Sequence, residues 1–129
     1  MNKVWQILRS KGDQVWKVSK DAMVSDALSL MAAKKTGSVV VMDGEQIAGI
    51  FTERDFARKV GLLEGKSSEV GIREVMTTEL ITVKPDDSVN HCMTIMTEKR
   101  IRHLPVIEDG KLVGIVSIGD IVKDVIEEL

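Results

Sequence analysis

The chain repeats itself. At an offset of 65 residues, Val18–Arg58 aligns with Val83–Lys123 without a gap. Nine of the 41 aligned positions are identical: Val18/Val83, Asp21/Asp86, Val24/Val89, Met31/Met96, Lys34/Lys99, Val41/Val106, Gly49/Gly114, Ile50/Ile115 and Asp55/Asp120. Others keep their character, among them Leu30/Ile95, Ile47/Leu112, Phe51/Val116, Thr52/Ser117 and Phe56/Ile121. A fixed period of this kind marks one small folding unit used more than once, and a unit of about 45 residues buries too little surface to stand alone. The 129 residues therefore accommodate two copies that share a core about a pseudo-two-fold axis.

Each copy carries the same succession of patterns. An extended segment (Val15–Val18; Leu80–Val83) precedes a helix whose apolar stripe is Val24, Ala27, Leu28 and Met31, mirrored by Val89, Cys92, Met93 and Met96. These spacings are i, i+3, i+4, i+7. Two strands follow, Ser38–Met42 with Gln46–Phe51 and His103–Ile107 with Lys111–Val116, joined by turns at Asp43-Gly44 and Asp109-Gly110; each pair reads as a β-hairpin. Thr52 and Ser117 then open closing helices, Glu53–Val60 and Ile118–Glu128. The expected fold class is α+β (mixed α/β): two β-α-β-β-α repeats with an N-terminal helix. The expected divisions are 1–14 for that helix, 15–60 for repeat one, 61–76 for a linker with Gly61, Gly65, Ser67, Ser68 and Gly71, and 77–129 for repeat two. A helical turn is expected at Ile72–Met76, and Val4, Trp5, Ile7 and Leu8 give the first helix an apolar face that has to cover packing or dimer surface.

Composition excludes several functions. With 18 Lys+Arg against 20 Asp+Glu and a net charge of -2, the chain lacks the basic footprint of a phosphate-backbone binder. Two Phe, two Trp and no Tyr leave few platforms for stacking bases. No nucleic-acid partner is expected. Every apolar run is too short to span a membrane, and charges at Lys3, Arg9, Lys11 and Asp13 interrupt any signal-peptide core, so a cytoplasmic location without membrane contact is expected. Cys92 stands alone and reads as a small buried hydrophobe. His91 has no second His or Cys at ligand spacing, so no metal site is expected. The methionines at 23, 31, 42, 76, 93 and 96 read as adaptable core. Nucleophile–base pairs and P-loops are missing, and Asp86-Asp87 after Pro85 suit a helix start; no enzymatic activity and no catalytic cofactor are expected.

The element that points to chemistry is Gly-h-h-[Thr/Ser]-x-x-Asp, where h is apolar. It occurs as Gly49-Ile50-Phe51-Thr52-Glu53-Arg54-Asp55 and as Gly114-Ile115-Val116-Ser117-Ile118-Gly119-Asp120. The hydroxyl and the acid three residues on form a helix-capping pattern. The glycine, on a strand rich in β-branched residues, implies that something approaches closely, and a ligand is one candidate. A strand running into a helix start offers N–H groups to phosphate, while a carboxylate one turn on can accept both ribose hydroxyls. Arg54 adds a cation in repeat one; Gly119 adds none in repeat two, so repeat one has the better charge and the half-sites are unequal.

The paired repeats resemble a tandem CBS domain, the cystathionine-β-synthase type regulatory module also called a Bateman module. The likeness rests on the two strand-end motifs and on Arg102-His103-Leu104-Pro105-Val106, which is similar to the family's Arg/His-h-Pro-Val segment. It implies adenosine-nucleotide binding in clefts between repeats, with Asp55 and Asp120 on ribose, and Thr52 and Ser117 near ribose or phosphate. It further places adenine against Val18, Val39 and Val40 in one cleft and Val83, Leu104 and Pro105 in the other, with phosphate meeting Arg102 and His103. Repeat one departs from the pattern, with Gly37-Ser38 for Arg102-His103 and Val40 for Pro105, which implies unequal occupancy. His103 taken alone reads more readily as a packed or solvent-facing residue than as a ligand contact.

The reading that results is a sensor: AMP, ADP, ATP or NAD(H) binds between the repeats and shifts a conformational population recognised by an unknown effector protein. One carboxylate and one or two cations suit a Kd of roughly 1 μM to 1 mM. The alternative is a constitutive interaction or dimerisation module without ligand. The resemblance implies a homodimer in either case.

Overall fold

The computed structural model describes residues 2–60 and 66–129. Gly61 and Gly65 of the expected linker lie outside the described residues. In chain order the elements are α1 (Val4–Lys11), β1 (Lys17–Ser19), α2 (Val24–Lys34), β2 (Ser38–Asp43), β3 (Gln46–Thr52), α3 (Glu53–Lys59), a 3-10 turn (Ile72–Glu74), α4 (Val89–Lys99), β4 (His103–Glu108), β5 (Lys111–Ser117) and α5 (Ile118–Glu127). They gather into two compact units: Trp16–Leu80 holds repeat one, while Ile81–Leu129 holds repeat two together with the N-terminal segment through Val15. The helix that opens the chain thus packs with the second repeat.

The duplication extends to backbone detail. β2 pairs antiparallel with β3, and β4 with β5, and the register shifts at Val41/Met42 in one hairpin and at Val106/Ile107 in the other, which are equivalent positions. α2 and α4 both end on a residue in the left-handed region, Lys35 (φ 53°) and Arg100 (φ 54°), again equivalent. The hairpin turns differ in chemistry. Asp109 (φ 51°) and Gly110 (φ 76°) are both left-handed, as a type I′ turn requires. In the other hairpin only Gly44 (φ 62°) is left-handed, which is the pattern of a II′ turn.

One expected strand shrinks to a single bridge. β1 runs parallel to β2 with Val18 opposite Val41, and the Lys20 N–H extends the ladder by donating to the Met42 carbonyl at 2.9 Å. In repeat two only Val83 pairs, with Val106. In repeat one the Val40 N–H also donates to the Trp16 carbonyl at 2.9 Å. Its equivalent, Pro105, has no N–H to give Ile81, and Pro85 in place of Lys20 has none on the far side, so the ladder stops at Val83 in both directions.

Among the described residues each unit has its own buried apolar cluster. In the first-repeat unit Val24, Ala27, Met31, Val39, Val41 and Phe51 are closed over by Val70, Ile72 and Val75, which lie within the expected linker and are therefore part of the packed core. In the second-repeat unit Val89, Cys92, Met96, Leu104, Val106, Val116 and Ile121 are closed over by Val4, Ile7 and Leu8 of α1. The α1 start is also tied down: the Val4 and Trp5 N–H groups donate to the carbonyls of Asp87 (2.9 Å) and Pro85 (3.0 Å), satisfying two of the helix's orphan donors.

The motif glycines explain how those outside segments seat. A Cβ on Gly49 would lie 2.8 Å from the Thr77 carbonyl oxygen and 2.9 Å from the Met76 sulfur, and one on Gly114 would lie 2.7 Å from Leu8 Cδ2. The close approach inferred from the sequence is therefore made by the protein itself, and the glycines are no evidence for a ligand. Because Gly49 faces fixed backbone and Gly114 faces the flexible end of Leu8, Gly49→Ala is expected to cost about 3 kcal/mol and Gly114→Ala about 1 kcal/mol, measured by urea unfolding. Equal costs would contradict this packing.

Cys92 is fully buried, as the sequence implies. Burial, aided by the Asp87 charge, pushes its thiol up to about 11. A thiol-specific reagent at pH 8 is expected to leave the native protein unlabelled and to modify it in denaturant, because the thiolate is the reactive form.

Candidate functional site

Each repeat turns from strand to helix on its motif, and the capping reading holds in both. The Asp55 N–H donates to the Thr52 hydroxyl at 3.2 Å, while the Thr52 N–H donates to Asp55 Oδ2 at 3.0 Å. In repeat two the Asp120 N–H donates to Ser117 Oγ at 3.2 Å and the Ser117 N–H to Asp120 Oδ2 at 2.8 Å. The first helical N–H groups are also engaged: Glu53 donates to the Gly37 carbonyl at 3.1 Å and Ile118 to the Arg102 carbonyl at 2.8 Å. The helix starts thus have fewer free donors for phosphate than the sequence suggests.

The two carboxylates have different surroundings. Asp55 is buried, and besides Thr52 its Oδ2 accepts from the Thr52 hydroxyl at 3.2 Å. Its Oδ1 accepts from the Thr77 hydroxyl at 2.9 Å and pairs with Lys59 Nζ at 3.1 Å. Two oxygens with about four acceptor sites are then fully used. Asp120 is half-buried; its Oδ2 takes the Ser117 N–H and Lys11 Nζ, the latter at 2.6 Å, and its Oδ1 accepts from no described residue. Lys11 also donates to the Ile115 carbonyl at 2.9 Å. On these contacts the second half-site, rather than the better-charged first, keeps acceptor capacity.

The other residues singled out in the sequence separate into two groups. Val39, Val83 and Leu104 lie inside the core clusters and Val18 packs against one, so their side chains are used by the fold. Val40 and Pro105 are buried but belong to neither cluster, since strand alternation turns them to the opposite face of their hairpins. His103, half-buried, lies opposite Ser117 in the β4–β5 register, and Arg102 precedes it, exposed. Arg102, His103, Ser117 and Asp120 therefore meet at one end of a hairpin. In repeat one the equivalent end holds Ser38 opposite Thr52, with Arg54 exposed on α3. Thr77, Lys59 and Lys11 were not singled out from the sequence. Lys59 had a local signal, an i,i+4 spacing from Asp55; the other two reach their acids only through the fold.

A family model for the CBS domain matches residues 9–61 and 72–127. The chain belongs to the CBS domain family. A mitochondrial CBS domain-containing protein of Arabidopsis thaliana is 44% identical over 132 residues, covering 95% of this chain and 64% of the relative. The chain therefore spans less than two thirds of that relative's length. A CBS-domain protein of Burkholderia ambifaria is 48% identical with a TM-score of 0.95, covering 98% of this chain and 96% of that one. The CBS domain pair of protein MJ0100, in complex with 5′-methylthioadenosine and S-adenosyl-L-methionine, shares the fold at 23% identity and a TM-score of 0.87, covering 100% of this chain and 99% of that one. Among the described residues no helix is long and apolar enough to cross a membrane.

The CBS motif acids are expected to differ in their structural weight. Asp55→Ala leaves three buried or half-buried donors without an acceptor and should cost about 2–3 kcal/mol, whereas Asp120→Ala removes a cap and a partly exposed ion pair and should cost about 1 kcal/mol. Chemical denaturation of both variants checks the order.

Proposed function

We propose that this CBS pair is a regulatory, non-catalytic module that takes an adenosine-based ligand, AMP, ADP, ATP or NAD(H), on its motif carboxylates and reports the bound state to an effector protein. The observation that carries the reading is Asp120 Oδ1. It is a carboxylate oxygen with no donor among the described residues, at a hairpin end that also carries Ser117, His103 and the cation of Arg102. A ribose diol supplies the donors that such an oxygen lacks, and a phosphate suits the guanidinium. The adenosine-type ligands held by a CBS pair of the same fold support the ligand class. Asp55, with its acceptor sites already used, makes the first repeat the weaker half-site, and a cytoplasmic setting fits a sensor of abundant metabolites.

A constitutive interaction module is the second reading, and a specific feature favours it. α5 exposes Ile118, Val122, Val125 and Ile126 along one side, an apolar stripe suited to a second copy in a homodimer. This reading needs no nucleotide.

Thermal melting separates the two. Ligand at about 100 times its Kd adds about 2.7 kcal/mol to stability, enough to raise Tm by several degrees. AMP, ADP, ATP or NAD(H) at millimolar concentration should shift the wild-type melt, with uracil and guanine nucleotides as controls, and Asp120→Ala should lose most of the shift. No shift with any adenosine nucleotide would leave the interaction module standing.

A further inference from the structure

Repeat two lacks a cation where repeat one has Arg54, because Gly119 stands at that position. The fold supplies one from elsewhere. α1 seats Leu8 against Gly114, and three residues later Lys11 places its ammonium on Asp120 Oδ2 and on the Ile115 carbonyl. The structure assigns to Lys11 a role as a specificity residue: in addition to the Arg102 guanidinium, its ammonium recognises the phosphate of a ligand whose ribose engages Asp120. This rests on the reading of Asp120 as the ribose-binding carboxylate.

Three observations carry it. An ammonium has three donors, and among the described residues Lys11 uses two; one remains, next to a carboxylate that keeps one oxygen without a donor among those residues. The pair therefore offers a donor and an acceptor side by side, which is the complement of a 5′-nucleotide with its donating diol and accepting phosphate. Second, the pair is partly open, with side-chain exposures of 30% for Lys11 and 20% for Asp120, so a ligand can reach both. Third, the first half-site does not reproduce it: Lys59 sits on Asp55, but that carboxylate has no acceptor capacity left. A diol that takes over Asp120 weakens its hold on Lys11, and the flexible stem brings the freed charge to the phosphate.

A purely structural tie between α1 and the motif would affect every ligand alike, whereas a phosphate contact discriminates. Calorimetric titration of adenosine and of AMP into the wild-type chain, Lys11→Gln and Lys11→Arg tests this. Lys11→Gln keeps a donor for the Ile115 carbonyl and so preserves packing, which its melting curve checks. The expected result is an AMP affinity about tenfold lower in Lys11→Gln with adenosine within twofold of wild type, and recovery of AMP binding in Lys11→Arg. Equal loss of both ligands, or unchanged AMP binding, overturns the assignment of Lys11 while leaving Asp120 in place. Wild-type AMP binding that survives Asp120→Ala undiminished, or a wild-type chain that binds neither ligand, overturns the ribose reading and this inference with it.

Discussion

The structure depends on a contact made twice: a segment from outside the repeat seats on the motif glycine and brings a polar group to the motif acid. In repeat one the Met76-Thr77 segment, at the end of the expected linker, lies over Gly49 and supplies Thr77 to Asp55. In repeat two α1 lies over Gly114 and supplies Lys11 to Asp120. Neither repeat closes its apolar cluster from its own residues, so the covering segment completes the core as well. A glycine is needed because any Cβ there would collide with the cover.

This contact explains why one motif gives its two acids different surroundings. The hydroxyl of Thr77 and the ammonium of Lys59 complete the acceptor set of Asp55, and the acid becomes part of the fold. α1 offers Asp120 an ammonium on one oxygen only. The second acid is therefore held in place by one oxygen, while the other accepts from no described residue. Duplication supplied the two scaffolds; the unlike covering segments made them unequal.

Much of this was legible in the sequence because it is local. The helical stripes, the hairpins with their left-handed turn residues and the Thr/Ser-x-x-Asp caps all involve residues within a few positions of one another, and the structure has them near the expected bounds. What was not legible involves distant residues or patterns without contrast. Val39-Val40-Val41 shows no polar alternation, so nothing in it tells which valine faces the core. The glycines announced a close approach but not by whom, since Leu8 and Thr77 are far away in the chain. Pro85 and Pro105 were visible, but their effect on strand pairing needed the Lys20–Met42 and Val40–Trp16 hydrogen bonds of the other repeat for comparison.

The central claim is that the two copies of one motif are not two equal sites: Asp55 is committed to the fold and Asp120 is open to ligand. Native mass spectrometry of the chain titrated with AMP counts bound nucleotides directly. The account predicts that one AMP per chain is filled well before any second. Two AMP molecules per chain taken up together at the same concentration would contradict it.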